Sequence, residues 1–323
     1  MSTIYEVARL AGVSPATVSR VMNGMNVSPE RSKRVREAAE ALSFRPSRTA
    51  RTLRRQNSEV IALVIPDIEN PFFTSLARGV EDVAQAAGYS VVLCNTDEDH
   101  DKEAKYLDIA IGANMAGVIL AAAGDHSDVS ELIERGRPVV AVDRGPHGFD
   151  IDAVTVDNRA GGRAATKALL EAGHRRIACI TGPKDVETAT GRADGWAGAL
   201  TAAGLTPDPD LLRYANFRVD GGEQAMAELL ELPEPPDAVF VANNLMSVGA
   251  LQVLAERGIL PPATGLAIFG DLPFVPLVPL PITVVALPAR LIGTTAANLL
   301  LERINGDDQP ARTIVLRSRV APR

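Results

Sequence analysis

The sequence predicts a chain in two parts, a small all-helical head and a larger α/β body of two subdomains, joined by a short linker with helical character. Three observations predict it. At 323 residues the chain is longer than one hydrophobic core usually fills, since single cores stop growing at roughly 250 to 300 residues. Apolar residues in the first 46 positions recur at helical spacing between Gly and Pro punctuation. From Val60 onward short apolar runs alternate with amphipathic stretches, the pattern of repeated βαβ units. A composition of 46% hydrophobic and 23% charged residues is that of a globular protein, and excludes disordered and fibrous classes.

In the head, Ile4, Val7, Ala8 and Ala11 stand at i, i+3, i+4 and i+7, the apolar stripe of a short helix, and Gly12 ends it. Val13 is placed to enter the core. Ser14 then caps a second helix that opens with Pro15, where the missing N–H is no loss. Val18, Val21 and Met22 share its inner face, and Ala16, Ser19, Arg20 and Asn23 lie opposite, before Gly24 stops it. A third helix follows the cap Ser28 and Pro29, with Val35, Ala38, Ala39 and Leu42 facing inward. Two short helices joined by a tight turn and braced by a third form a helix-turn-helix, whose second helix enters the DNA major groove. A generic three-helix bundle would solvate that outer face with long Glu and Lys side chains. Here the face is small and hydrogen-bonding: Arg20 can pair bidentately with guanine, and Ser19 and Asn23 can reach base edges or phosphates.

Phe44-Arg45-Pro46 ends the bundle, because the residue before Pro resists helical geometry. The linker Ser47-Arg48-Thr49-Ala50-Arg51-Thr52-Leu53-Arg54-Arg55 is helix-compatible, but nine residues are too few to hold a helix alone in water, where about 12 to 15 are needed. It reads either as a charged tether or as a helix that forms only against a partner. Charge separates the two parts. The whole chain carries −7, yet residues 1–58 hold eleven Arg and Lys against four Asp and Glu, a head of +7 on a body of −14. Such asymmetry points to a polyanion at one end only.

In the body, strands are expected at 60–65, 90–94, 117–121, 138–142, 154–156, 177–181, 237–241, 266–269 and 282–285, with 313–316 also strand-like. Helical stretches such as 75–88 and 159–173 separate them, which implies mostly parallel sheets covered on both faces. In such sheets ligands bind outside the carboxyl ends of the strands. The candidates there are Asn70 with Phe72 and Phe73, Asp143 with Arg144, Thr188 and Arg192 after strand 177–181, Asn243 with Asn244, and Asp271. An aromatic floor, a bidentate Arg and acceptor carboxylates suit a sugar or heterocycle.

An enzyme finds no support. There is no phosphate-binding Gly-rich loop after the first strand and no nucleophile elbow, and His100, His126, His147 and His174 lack metal-ligand spacing, so neither cofactor nor metal is expected. Cys94 and Cys179 sit in apolar runs and read as buried, reduced thiols. With no export signal and no apolar stretch near 18 residues, a cytoplasmic protein without membrane contact is expected.

The run 3–24, with Thr3-Ile4-Tyr5-Glu6-Val7-Ala8-Arg9-Leu10-Ala11-Gly12-Val13-Ser14-Pro15-Ala16-Thr17-Val18-Ser19-Arg20-Val21-Met22-Asn23-Gly24, resembles the opening of the lactose-repressor/galactose-repressor (LacI/GalR) family almost position for position. The resemblance continues through Asn70-Pro71-Phe72-Phe73, Val142-Asp143-Arg144, Asp157-Asn158, Gly173-His174-Arg175-Arg176-Ile177 and Val241-Ala242-Asn243. It implies a transcriptional regulator, in sense a repressor, whose operator affinity is set by a small effector held between the subdomains of a type I periplasmic-binding-protein-like body. It implies that Pro15 and Ala16 help choose the operator, that Arg20 contacts a base, and that Thr3, Ser14, Thr17, Ser19 and Asn23 join the DNA surface. The linker then corresponds to the family's hinge helix, with Leu53 wedged into the minor groove between Arg48, Ala50 and Arg54, and Phe217 to an aromatic that stacks on the ligand.

The domains expected are 1–46 for the helix-turn-helix, 47–58 for the hinge, and 59–323 for the body. Its first subdomain takes about 59–157 and 288–308, and its second about 158–287 and 309–323. The sequence departs from the family at Gly270 and Asn244, where acidic residues are usual, so the effector, sugar- or nucleoside-like, is expected to be unusual, weakly bound, or less hydroxyl-rich than a simple sugar. An alternative is a constitutive or protein-sensing regulator with a degenerate pocket. The chain ends at Arg323 without an apolar heptad tail, so a homodimer on near-palindromic double-stranded DNA is expected.

Overall fold

A computed structural model describes residues 3–22, 27–42, 44, 58–124, 127–272 and 280–321. The chain divides into two compact units, Met1–Ser58 and Glu59–Arg323. Asn23, Arg48, Ala50, Leu53 and Arg54, named above as DNA contacts, lie outside the described residues.

In the first unit, α1 (Ile4–Ala11) begins with a capping box. The Thr3 hydroxyl accepts from the Glu6 N–H while the Glu6 carboxylate accepts from the Thr3 N–H at 2.7 Å, satisfying two donors of an open helix end. α2 (Pro15–Met22) follows, its first turn closed by the Thr17 N–H donating to the Ser14 hydroxyl at 3.2 Å. α3 (Pro29–Ala41) starts at Ser28 as expected, but the Ser28 side chain makes no capping bond. The Val7, Ala8, Ala11, Val18, Val21, Val35, Ala38 and Ala39 side chains form the core, with Leu42 and Phe44 packed at its edge.

The second unit holds two six-stranded sheets. The first contains β1 (Val60–Ile65), β2 (Ser90–Asn95), β3 (Gly117–Leu120), β4 (Val139–Asp143), β5 (Asp152–Val156) and β11 (Thr313–Leu316), all parallel, in the order β11-β5-β4-β3-β1-β2. The second contains β6 (Ile177–Thr181), β7 (Leu212–Tyr214), β8 (Ala238–Val241), β9 (Gly265–Phe269), β10 (Ile282–Ala286) and β12 (Arg319–Ala321), in the order β12-β10-β9-β8-β6-β7. Only β12 runs antiparallel there, against β10. All ten strand runs seen in the sequence form. Central strands are buried on both faces, as in β1, where Ile61, Leu63 and Ile65 fill one core and Ala62 and Val64 the other, as parallel strands between helical layers must be.

The helices are α4 (Pro71–Ala86), α5 (His100–Gly112), α6 (Ser130–Glu134), α7 (Asn158–Glu171), α8 (Glu187–Ala202), α9 (Val219–Leu230), α10 (Asn244–Glu256) and α11 (Ala289–Ile304). The chain crosses between the sheets three times, after β5, after β10 and after β11. The last crossing corrects the expected boundary. Residues 313–316 pair with β5 in the first sheet, and only β12 reaches the second, because the alternating apolar run 313–316 completes the open edge of β5 before the chain returns. Cys94 and Cys179 are buried free thiols.

Candidate functional site

Two surfaces carry the candidate residues, one in each unit. In the head, Ala16 and Arg20 are exposed on one face of α2 with Ser19 half-buried beside them, and Pro15 and Thr17 are also half-buried. Val18 and Val21, pointing the other way, are buried and fix that orientation. Ser14 is exposed at the helix entry, and Thr3 is exposed but engaged in its capping box.

In the body, the carboxyl ends of strands from both sheets face one narrow cleft with about 40 Å³ of enclosed space. Asn70, Phe72, Phe73, Asp143, Arg144, Thr188, Arg192, Phe217 and Asn243 all line it. Asp271 does not. After Gly270, whose φ of +97° turns the chain sharply, Leu272 enters the core of the second sheet and Asp271 points to solvent. That expectation is corrected. The lining also includes residues the strand-end reading passed over: Asp67, Glu98, Asn216, Arg218, Phe269 and Leu287.

The chemistry of the cleft is set by buried charge. Arg192, 6% exposed, projects from the second turn of α8. Its Nε donates to the Asn158 side-chain oxygen at 2.9 Å and its Nη1 to the Ala242 carbonyl at 2.8 Å, while the guanidinium stacks 4.2 Å from the Phe269 ring centre. Burial disfavours this cation and brings its pKa down to about 10, against the pull of Asp143. It stays charged at neutral pH, and among the described residues its Nη2 makes no hydrogen bond.

Asp143 ends β4 at φ +66°, a left-handed conformation that a side chain rarely adopts, and its carboxylate is buried. Burial pushes its pKa up, opposed by the charges of Arg192 and Arg144. Arg144 is only 3% exposed and is gripped from several sides. Glu98 accepts bidentately from its fork at 2.7 and 2.8 Å, and the Ala122 and Ala123 carbonyls accept from Nη1. Burial weakens that cation, but the hydrogen bonds and charge of Glu98 outweigh it and hold the pKa above the ordinary value. Its Nε is buried without a partner.

Among the described residues, hydrogen bonds join the subdomains at two places. Asn244 Nδ2, on α10, donates to Asn70 Oδ1, the N-cap of α4, at 3.0 Å, and the same oxygen accepts from the Phe72 N–H at 2.9 Å. The Gly145 N–H also donates to the Glu187 carboxylate at the start of α8.

Comparison with known proteins gives this geometry its context. Residues 58–320 match the model of periplasmic binding proteins and the sugar-binding domain of the LacI family, and residues 3–47 match that of bacterial regulatory proteins of the lacI family. The chain belongs to the LacI family. Its LacI-family relatives include the ribose operon repressor of Escherichia coli (strain K12), 35% identical over 94% of this chain and 93% of that one. The PurR transcriptional repressor of Aliivibrio salmonicida is 31% identical over 100% of this chain and 98% of its own length. Among solved structures, the transcriptional regulator CelR–cellobiose complex is 33% identical, with a TM-score of 0.75 over 99% of this chain and 98% of that one. This LacI-family chain is therefore a DNA-binding transcriptional regulator with an effector-binding body, and its relatives are repressors rather than enzymes. Among the described residues no cluster of His, Cys, Asp and Glu could hold a metal ion, and no helix is long and apolar enough to cross a membrane.

Proposed function

We propose that this regulator acts as a cytoplasmic homodimer on a near-palindromic operator, repressing transcription in response to a small sugar- or nucleoside-like effector held in the cleft. The observation that carries this reading is the pairing of Asp143 and Arg192. One is a buried acceptor and the other a buried donor; each faces the cleft, and no direct ion pair between them satisfies either. A ligand that donates to the first and accepts from the second completes both, and polar groups left incomplete in a buried site are expensive in its absence. Arg20, Ala16 and Ser19 read base edges from α2, while Thr3, Ser14, Pro15 and Thr17 orient it against the backbone. Asn23 from the end of that helix, and Arg48, Ala50, Leu53 and Arg54 from the linker, complete the DNA surface. The domain roles follow: 1–46 reads DNA, 47–58 couples, and 59–323 senses and dimerises.

A second reading, a regulator with a degenerate pocket that answers a protein or nothing, is favoured by one observation. The Asn244 amide is engaged by Asn70 rather than left open to a ligand. Selection of bound DNA from a random library, with and without carbohydrates and nucleosides, separates the two. A ligand-dependent change in recovered operator supports the first, and indifference to every ligand the second. In the same assay Arg20→Ala is expected to lose about 1 to 3 kcal/mol on the selected operator and to flatten its preference over random DNA. Equal losses on both DNAs would instead make Arg20 a phosphate contact.

A further inference from the structure

The uncommitted hydrogen-bonding groups of the cleft are sorted by subdomain. On the first, Asp143 and Asp67 offer carboxylate oxygens, while Glu98 and Arg144 neutralise each other. On the second, Arg192 Nη2, the Thr188 hydroxyl and Arg218 offer donors. Arg218 is the telling group. It occupies the N-cap position of α9 with no side-chain capping bond, which sets a cation against the positive end of a helix dipole. Among the described residues its guanidinium makes no hydrogen bond or ion pair. Asp97 feels its charge, but that carboxylate is already held by Lys102 and Asn95. A half-buried arginine in such a place is destabilising by itself, and becomes favourable when an anion lies between it and the open N–H groups of the helix. A second, independent observation is Arg192, more than nine-tenths buried and lining the same cleft, whose Nη2 makes no hydrogen bond among the described residues.

We propose that the effector is an anionic sugar derivative, its carboxylate or phosphate lying against Arg218 and Arg192 and its hydroxyls donating to Asp143 and Asp67. This rests on the reading of the cleft as the effector site and adds its polarity: acid end to the second subdomain, hydroxyl end to the first. Neutral sugars leave Arg218 without a counter-charge, so the site selects against them. Charge-assisted hydrogen bonds to Arg are about twice as strong as neutral ones, and Arg geometry matches both carboxylate and phosphate.

The test is calorimetric titration of the full-length protein with pentoses and hexoses, each beside its aldonic acid and its terminal phosphate ester, with operator release followed in the same samples. The expected result is that either the acid series or the phosphate series binds about tenfold or more tightly than the matching neutral sugars, and which series does so identifies the anion. Arg218→Gln, with folding verified by circular dichroism, is expected to narrow that gap, and Asp143→Asn to weaken charged and neutral forms alike. Neutral sugars that bind as well as their acids and phosphates, and release operator, would overturn the proposal while leaving the cleft a sugar-effector site. An Arg218→Gln protein that keeps the full gap would overturn the assignment of Arg218. If no member of any series binds, the proposal falls together with the reading of the cleft as a carbohydrate site.

Discussion

Asp152 shows how far a single buried charge can anchor a subdomain. Its side chain is fully buried where β5 begins, and it accepts from Arg303 Nε at 2.7 Å and Nη2 at 2.9 Å and from the Arg312 N–H at 2.8 Å, tying α11 and the approach to β11 onto the first sheet. Burial opposes the carboxylate, but the bonds from Arg303 and Arg312 outweigh it and hold the pKa below its usual 3.8. A depressed acid stabilises the fold fully above its unfolded pKa and loses that contribution as pH falls through the folded value. Asp152→Asn is therefore expected to lower stability at pH 7 by about 1 to 3 kcal/mol, since it takes the charge from a fully buried acceptor shared by Arg303 and Arg312. The difference from the parent should shrink below about pH 4, as urea unfolding across pH will show. A loss that stays constant with pH would mean that packing rather than charge is responsible. Little of this network was legible in the sequence, because its members lie 151 and 160 residues apart. The cleft was more legible: Asp143, Arg192 and Asn243 follow visible strands, and the rule that ligands sit at strand ends locates them. Glu98 follows β2 and the same rule reaches it, whereas Arg218 follows β7, a three-residue strand with no apolar run to announce it. Asp271 failed because a strand-end position says nothing of which way the chain turns after Gly270.

At the scale of elements, the position of Arg192 is set by how closely α7 and α8 pack. A methyl group at Gly162 would lie 2.3 Å from the Arg192 carbonyl oxygen, and one at Gly195 would lie 2.3 Å from the Arg159 carbonyl oxygen. The two backbones touch because both faces lack side chains. Gly162→Ala must push the helices apart or distort them, and overpacking of this kind destabilises by about 1 to 3 kcal/mol. Because α8 carries Arg192 and Thr188 into the cleft, the same substitution is expected to weaken effector binding beyond the loss of stability. Calorimetry at a temperature where the variant is fully folded checks it, and unchanged affinity would show that α8 keeps its place when α7 moves. Helical periodicity marks α7 in the sequence. The contact is not marked, since Gly at 162 and 195 reads equally as a helix breaker until the partner is known. The strands show the same limit: doubly buried β1, β4 and β6 are continuous apolar runs, whereas the edge strands β7 and β12 are three residues each and depend on a neighbour for their existence.

Across the whole molecule, regulation requires that the state of the cleft reach the DNA surface. Three crossings let the subdomains of the body rotate against each other, and the Asn70–Asn244 and Gly145–Glu187 bonds hold them together until a ligand or thermal motion replaces them. A ligand shifts such an equilibrium only by its difference in affinity for the two arrangements, typically about 1 to 3 kcal/mol of coupling. The proposed receiver is the linker. Residues 47–55 are helix-compatible but too short to nucleate alone, so their folding is expected to need the operator's minor groove and the second subunit's linker together, which makes helix formation and DNA kinking one event. Ala50→Gly should then weaken operator binding through helix propensity alone, by up to about 1 kcal/mol per subunit, and Leu53→Ala should weaken it and also reduce DNA bending. Hydrogen exchange across 47–55 is the measurement that decides: slow amides are expected only in the operator complex, and an effector that releases operator should restore fast exchange before dissociation is complete. Protection already present in the free protein, or absent on operator, would leave the linker a passive tether and require the cleft to signal by another route.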